Sequence, residues 1–258
     1  MENLLCIKGR VLGKGKPLVC VPVMGKTKEE IIKEAKRLIW LHADMIEWRV
    51  DAFENARSMN AIREVLDELK PLVKDTILVY TFRSKNQGGL MSLEPDEIYD
   101  IHQIAAETDV VDFVDLEYFE AVKPEKEIRE LQEMGVHVIA SHHDFEQTPE
   151  RGVIRMLLEQ IRESGADVVK LAVMPQSMQD VLDLLEETSF FHEQYPDKAL
   201  ITMSMGAKGA VSRVAGEFFG SCVTFGAGEQ ASAPGQLPMG ELEQVLGILD
   251  KSITWYSG

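Results

Sequence analysis

The chain has 258 residues, 45% of them hydrophobic and 27% charged, which is the composition of a globular protein with a sizeable core. Its formal net charge of −16 argues against a nucleic acid or an anionic membrane as partner, because both require a basic face. Three scattered cysteines without a Cys-x-x-Cys pair disfavour a disulfide framework or a zinc site. With no membrane-length apolar run and no signal-peptide pattern, we expect a cytoplasmic protein.

The first residues predict a small β-hairpin. Two short segments, 4–7 and 10–12, flank the turn dipeptide Lys8-Gly9. We therefore assign residues 1–15 to an N-terminal hairpin that precedes the main body.

Strand and helix patterns then alternate eight times without a break in composition. The predicted strands are residues 18–24, 44–50, 76–82, 110–117, 136–141, 167–173, 200–203 and 221–225. Helix signals lie between them, among them a capping box from Thr27 to Glu30, Thr148-Pro149 as the start of the fifth helix, and residues 242–249 as the last helix.

Eight such units in about 250 residues predict one α/β domain over residues 1–258, a (β/α)₈ TIM barrel. A doubly wound open sheet is the alternative, but that fold usually has a glycine-rich nucleotide turn after its first strand. Residues 24–27 resemble the end of a P-loop but lack its leading glycine. We therefore favour the barrel.

Lys170 lies in the middle of the apolar strand 167–173. An ammonium in a dry core is costly unless it is paired or loses its proton. A desolvated lysine can be neutral often enough to attack a carbonyl and form a Schiff base. The alternative is a lysine near a strand end whose ammonium reaches water.

Other polar residues fall near the carboxyl ends of the predicted strands, where barrels build their active sites. They are Glu47, Arg49, Arg83, Glu117, His142, His143 and Ser204. Residues two apart on a strand share a face, so Glu47 and Arg49 point the same way, and Lys170 shares a face with Ala172. If that face is the interior, Lys170 is held among small and apolar side chains. By default, Arg213 is a surface arginine, and Met203 and Met205 are packing residues.

The segment after the last strand, residues 226–238, is long and rich in Gly, Ala and Ser. Such a segment can bury little apolar surface. We predict that it is a lid loop over the active site.

Several motifs resemble the type I 3-dehydroquinate dehydratase family, and the resemblance runs in order along essentially the whole chain. They are Glu47-Trp-Arg49, Thr81-Phe-Arg83, Ala140-Ser-His-His-Asp-Phe145 with Thr148-Pro149, residues 167–177, residues 212–217 and residues 232–236. The resemblance implies a barrel, commonly a homodimer, without a metal or a dissociable cofactor. It also implies a lyase of the shikimate pathway of aromatic amino-acid biosynthesis, which dehydrates the small anionic substrate 3-dehydroquinate to 3-dehydroshikimate.

The same resemblance implies roles for individual residues. Lys170 would form the imine with the C3 ketone, and His143 would move the C2 proton and protonate the departing C1 hydroxyl. The residues implied to bind substrate are Arg213 at the carboxylate, Ser232 and Gln236 from the lid, and Glu47, Arg49 and Arg83 at the ring hydroxyls. Gln87 stands where the family has a glutamate, so the tuning of His143 is in question.

Two other functions stay open at this stage. A class I Schiff-base aldolase also uses a barrel and a lysine, and Gly226-Ala-Gly228 could imitate its phosphate-binding backbone. A catalytically altered barrel that only binds ligands is the second. Incubation with 3-dehydroquinate, followed by ultraviolet absorption of the enone product, separates the dehydratase from the aldolase.

Overall fold

The structure is a computed structural model that describes residues 4–229 and 231–255. Parts of three predicted ranges, the hairpin 1–15, the lid 226–238 and the domain 1–258, therefore lie outside the described residues. Its strands are β1 Cys6–Ile7, β2 Arg10–Val11, β3 Leu18–Val23, β4 Met45–Arg49, β5 Ile77–Thr81, β6 Phe113–Glu117, β7 His137–Asp144, β8 Val168–Val173, β9 Ala199–Ser204 and β10 Val223–Phe225. Its helices are α1 Lys28–Trp40, α2 Met59–Leu69, α3 Pro95–Ala106, α4 Pro124–Glu133, α5 Arg151–Glu163, α6 Met178–Gln194, α7 Ala210–Val214, α8 Gly216–Phe219 and α9 Met239–Trp255.

The predicted barrel is confirmed. Strands β3 to β9 pair in sequence order, all parallel, and β10 returns to pair with β3. The ring closes between β10 and β9 where the Cys222 N–H donates to the Leu200 carbonyl at 2.8 Å. Because the two edge strands of this sheet, β9 and β10, meet each other, the sheet is a barrel. The doubly wound alternative is therefore wrong.

Side chains alternate between two cores. One apolar cluster fills the barrel interior and includes Val168, Ala172 and Met203, whereas the other joins the outer strand faces to the helices. Lys170 shares the face of Val168 and Ala172, so it points inward. The β1–β2 hairpin adds Ile7 and Leu12 to the interior cluster and covers the amino-terminal end of the barrel.

Three aspartates link neighbouring strands at the amino-terminal end of the barrel. The carboxylates of Asp44, Asp112 and Asp167, which precede β4, β6 and β8, accept hydrogen bonds from backbone N–H groups of the preceding strands at 2.7–3.1 Å. Burial acts to raise the pKa of Asp167, but hydrogen bonds from His137 and its other donors outweigh burial and lower it. The barrel base is therefore held partly by carboxylate-to-backbone bonds.

Several predicted boundaries are wrong, each for a local reason. β7 extends through Asp144 because β8 continues to pair with it, so both histidines lie inside the strand. The fifth helix begins at Arg151 rather than at Thr148-Pro149, since Glu150 is its N-cap and the Thr148 hydroxyl caps nothing among the described residues. The single helix predicted after Gly206, through Val211, Val214 and Phe218, is instead the two short helices α7 and α8, broken at Ala215. The last helix is longer than the predicted residues 242–249.

None of the helices within residues 4–229 and 231–255 is long and apolar enough to cross a bilayer.

Candidate active site

A cleft of about 450 Å³, here called the main cleft, lies at the carboxyl ends of the barrel strands. The predicted site residues that line it are Glu47, Arg49, Arg83, Gln87, His143, Lys170, Ser232 and Gln236. The ninth, Arg213, contacts backbone carbonyls behind its wall. The barrel thus brings together side chains that are up to 189 positions apart, from Glu47 to Gln236.

Lys170 is 2% exposed and lies at the inner end of the main cleft. Its ammonium donates a hydrogen bond to Asp115 Oδ2 at 2.7 Å, lies 3.8 Å from Glu47 Oε1 and stands 4.5 Å from the centre of the Phe225 ring. The neighbours of Lys170 therefore include carboxylates as well as the expected small and apolar side chains. An acidic partner from β6, which was not predicted from the sequence, compensates for its burial.

Asp115 also binds Arg83, so one carboxylate serves two cations. Arg83 donates to Asp115 Oδ1 at 2.8 Å and to Glu117 Oε1 at 2.9 Å, and the Ser141 hydroxyl donates to Asp115 at 2.6 Å. Burial acts to raise the pKa of Asp115, but Arg83 and Lys170 outweigh burial and hold it well below its usual range. We call Arg83, Asp115, Glu117 and Lys170 the charge network.

Arg49 is fixed by a second buried carboxylate. Its guanidinium makes two parallel hydrogen bonds to Asp51, each 2.8 Å long. Glu47, two residues earlier, does not pair with Arg49 but accepts from the Thr81 hydroxyl at 2.9 Å. Both side chains are therefore held in place at the cleft.

His143 and Lys170 point into the main cleft from neighbouring strands. In the β7–β8 register, His143 lies opposite Ala172, and Ser141 lies opposite Lys170. Burial is the largest effect on His143, and the nearby Arg83 and Lys170 charges add to it, so the pKa of His143 is lowered well below its usual value. The imidazole is consequently neutral at pH 7. His142 faces away, with its ring against Phe119 at 5.0 Å between centres.

Gln87 determines which nitrogen of His143 carries the proton. The Gln87 Oε1 atom accepts from the His143 backbone N–H at 2.8 Å and lies 3.1 Å from Nδ1. The backbone contact requires an oxygen at that position, and an oxygen can only accept. Nδ1 is therefore protonated, which leaves Nε2 as the basic nitrogen.

Arg213 is buried, with only 1% exposure, so the default expectation of a surface arginine is wrong. Its guanidinium donates to the carbonyls of Phe225 at 3.4 Å and Pro234 at 3.0 Å, and its Nε has no partner among the described residues. Burial without a carboxylate partner lowers the pKa of Arg213 to about 10. Such a cation is an attractive site for an anion.

Ser232 and Gln236 lie together on the loop that follows β10. Gln236 Oε1 accepts from the Ser232 backbone N–H at 2.8 Å, and its amide donates to the Ser232 hydroxyl at 3.0 Å. The loop touches the barrel where the Gly206 N–H donates to the Pro234 carbonyl at 3.0 Å. Gly235 has φ +78° there, and a Cβ would lie 2.3 Å from the Gly206 oxygen, so only glycine fits.

Some contributors to the site were not predicted from the sequence. Asp115 and Asp51 are the buried carboxylates that hold Lys170, Arg83 and Arg49. A carboxylate inside an apolar strand, two residues before Glu117, was the available signal for Asp115. Met203 and Met205 belong to the interior core, as expected of packing residues, but they also line the main cleft. So do Gly88, Phe145, Ala172, Phe225 and Ala233.

Comparison with known proteins matches this architecture to one family. The model of the family described as type I 3-dehydroquinase matches residues 19–253. The 3-dehydroquinate dehydratase of Bacillus subtilis is 41% identical over 97% of this chain and 98% of its own, and that of Clostridioides difficile is 43% identical over 98% and 100%. A crystal structure of the type I 3-dehydroquinate dehydratase from Clostridium difficile, with covalently modified comenic acid, superimposes with a TM-score of 0.93 at 42% identity, covering 98% of this chain and 99% of that one. The chain belongs to the type I 3-dehydroquinase family.

Proposed function

We propose that this protein is a 3-dehydroquinate dehydratase, a hydro-lyase of the shikimate pathway that works through a lysine imine. The observation that carries the proposal is the placement of Lys170 and His143 on neighbouring strands, facing one cleft. A nucleophilic amine and a neutral imidazole are the two groups that an imine-based elimination needs. Family membership and dehydratase relatives that align over nearly their full length support the same reaction.

The proposed reaction begins when the Lys170 ammonium gives up a proton and the resulting amine attacks the C3 ketone; that proton is taken up again as one water leaves, so a protonated imine forms. The protonated imine withdraws electrons, so His143 Nε2 can remove a C2 proton and leave an enamine. The enamine electron pair then expels the C1 hydroxyl, which leaves as water after it receives that proton from His143. A second water hydrolyses the conjugated protonated imine, releasing 3-dehydroshikimate and restoring the Lys170 ammonium. The net change is loss of one water.

The charge network suits this sequence of steps. The Lys170 ammonium and the protonated imine carry the same positive charge on the same nitrogen, so Asp115 is a suitable counter-ion for both. Because Arg83 also donates a hydrogen bond to Asp115, this carboxylate is shared between Arg83 and Lys170.

Arg213 is the proposed partner of the substrate carboxylate. It is a buried guanidinium bonded only to carbonyl oxygens among the described residues, and its planar fork can give a carboxylate two parallel hydrogen bonds. We assign Ser232 and Gln236 to closure over the bound substrate, and Glu47, Arg49 and Arg83 to its ring hydroxyls. In the aldolase alternative, a phosphate would have to occupy the lid side of the main cleft. Family membership favours the dehydratase over the aldolase.

The proposal includes one barrel domain over residues 1–258, a hairpin at 1–15 and a lid at 226–238. A homodimer in the cytoplasm remains a prediction.

The first prediction concerns the covalent residue. Borohydride added with 3-dehydroquinate should attach a reduced ligand to the peptide that contains Lys170. Lys170→Ala should abolish both this label and turnover, and Lys170→Arg should do the same, because a guanidinium stays protonated. The measurement is peptide mass spectrometry. Lys208→Ala, which changes an exposed lysine on the same side of the barrel, should label normally, and a label on any lysine other than Lys170 would contradict the assignment.

The second prediction separates proton transfer from binding. His143→Ala should still form the trapped imine but turn over about 10²–10⁴-fold more slowly, as expected for loss of a general base. Arg213→Ala should instead raise KM and form the imine only at high substrate concentration. His142→Ala is the matched control, since that ring faces away from the main cleft. Steady-state kinetics on the three variants distinguishes loss of proton transfer from loss of binding. Near-normal turnover in His143→Ala would rule out His143 as the base.

The third prediction concerns Gln87. Gln87→Glu should raise the His143 pKa, because an anion within hydrogen-bonding distance stabilises the imidazolium. The base must be unprotonated to accept the C2 proton, so the acid limb of the kcat/KM profile should move to higher pH, by about 1–3 pH units if the pair is shielded from water. The measurement is a pH–rate series at fixed ionic strength.

Asn86→Asp adds the same charge one residue earlier, at an exposed position, and should leave the acid limb nearly in place. An acid limb that coincides in Gln87→Glu and the parent protein would show that residue 87 is not coupled to the base.

The fourth prediction concerns the proposed lid. Hydrogen exchange of the amides in residues 226–235 should slow markedly in the borohydride-trapped adduct. Few contacts hold this loop without ligand, and contacts with the ligand should order it. Residues 6–11, in the hairpin at the opposite end of the barrel, should exchange equally in both states. Equal protection of residues 226–235 with and without ligand would be inconsistent with gating.

A further inference from the structure

A second cleft of about 300 Å³, here called the side cleft, lies between the start of α3, the start of α4 and the segment that follows β6. Its lining residues are Phe82, Pro95, Ile98, His102, Leu116, Glu117, Glu120, Ala121 and Glu127. None of them lines the main cleft, and only Glu117 belongs to the charge network, through its bond to Arg83.

His102 is the most unusual residue of the side cleft. It is 2% exposed, and neither ring nitrogen has a hydrogen-bond partner among the described residues. Burial lowers the pKa of His102 to about 4, so the imidazole is neutral at pH 7 and offers one N–H donor and one acceptor. A buried polar group without a partner costs roughly 1–3 kcal/mol, which makes this side chain a candidate ligand contact.

Three carboxylates share the side cleft with His102, and no lysine or arginine lines it. The side-chain hydrogen bonds that Glu117 accepts from Arg83 and from the Ser84 N–H both end on Oε1, which leaves Oε2 for another donor. Glu127 is half-buried, and burial is the main cause of its raised pKa. The side cleft therefore favours a cation that brings N–H donors and disfavours an anion.

A metal ion does not fit these residues. Over residues 4–229 and 231–255, no group of three or more His, Cys, Asp or Glu side chains could hold one. The remaining lining is apolar, from Phe82, Ile98 and Leu116 among others. The complementary ligand is therefore organic, with a cationic head and an apolar body.

We propose that the side cleft binds a small organic ammonium ion. Its N–H groups donate to the carboxylates of Glu117 and Glu127 and to the basic nitrogen of His102, and its apolar body packs on Phe82, Ile98 and Leu116. This assignment does not depend on the proposed function, because none of these contacts involves Lys170 or His143.

Binding there would be linked to the main cleft through Glu117. The same carboxylate holds Arg83, which belongs to the charge network and lines the main cleft. A ligand that draws Glu117 toward the side cleft weakens its hold on Arg83, and thermodynamic linkage makes this effect reciprocal. The consequence for substrate affinity rests on the proposed function, whereas ligand binding does not.

The test uses benzylammonium as the probe, with the full-length protein and no substrate, because an amine would react with the substrate ketone. Calorimetry should show saturable binding, and amide shifts in NMR should map to residues 95–102 and 116–127. Benzyl alcohol, which has the same ring and no charge, should bind at least about fivefold more weakly.

Glu127→Gln should weaken benzylammonium binding at least about fivefold. Glu133→Gln makes the same charge change on the same helix, at an exposed position outside the side cleft, and should bind like the parent protein. His102→Phe should abolish binding, with its fold checked by circular dichroism. Absence of saturable binding, equal affinity of parent and Glu127→Gln, or amide shifts confined to residues 203–236 would each overturn the proposal, whether or not the dehydratase activity is found.

Discussion

The buried carboxylate of Asp115 is the interaction on which the main cleft depends. It accepts hydrogen bonds from Lys170 on β8, from Arg83 after β5 and from Ser141 on β7, while lying itself on β6. Four successive strands thus meet at one anionic group. Removing one partner from a buried ion pair leaves an uncompensated charge at a cost of about 3–5 kcal/mol. The barrel register and the charge network consequently support each other.

Two buried cations differ in their partners, Lys170 at the inner end of the main cleft and Arg213 behind its wall on the lid side. At its inner end the positive charge of Lys170 already has a carboxylate partner, and in the proposed mechanism imine formation leaves that charge in place. At the lid side Arg213 is a buried cation without a carboxylate partner among the described residues, so a substrate carboxylate would supply one. In the proposed function, this arrangement would orient an anionic ketone acid with its carbonyl toward Lys170, because the opposite orientation would bring an extra anion against Asp115 and Glu47.

Strand β6 connects the two clefts. Asp115 and Glu117 share its inward face, and Leu116 between them faces the helices and lines the side cleft. Glu117 sits at the strand end, where it reaches both Arg83 and the side cleft. One carboxylate at a strand end can therefore connect the main cleft with the side cleft. Gln87 also acts on a neighbouring site residue through its side chain. Its neutral amide fixes the tautomer of His143 without adding a charge.

The sequence by itself determined the barrel and most of the residues that line its cleft. Strand periodicity places every second side chain on one face, and the order of eight strand–helix units requires their carboxyl ends to meet, so Lys170, Glu47 and Arg49 were expected at one end of the barrel, whereas the face that points inward was left open. Only the tertiary structure decided which charges pair. The Lys170–Asp115 bond joins residues 55 positions apart, and the burial of Arg213 and His102 depends on how a loop and a helix pack on the closed barrel. Such contacts depend on register and closure, which local propensity and periodicity do not specify.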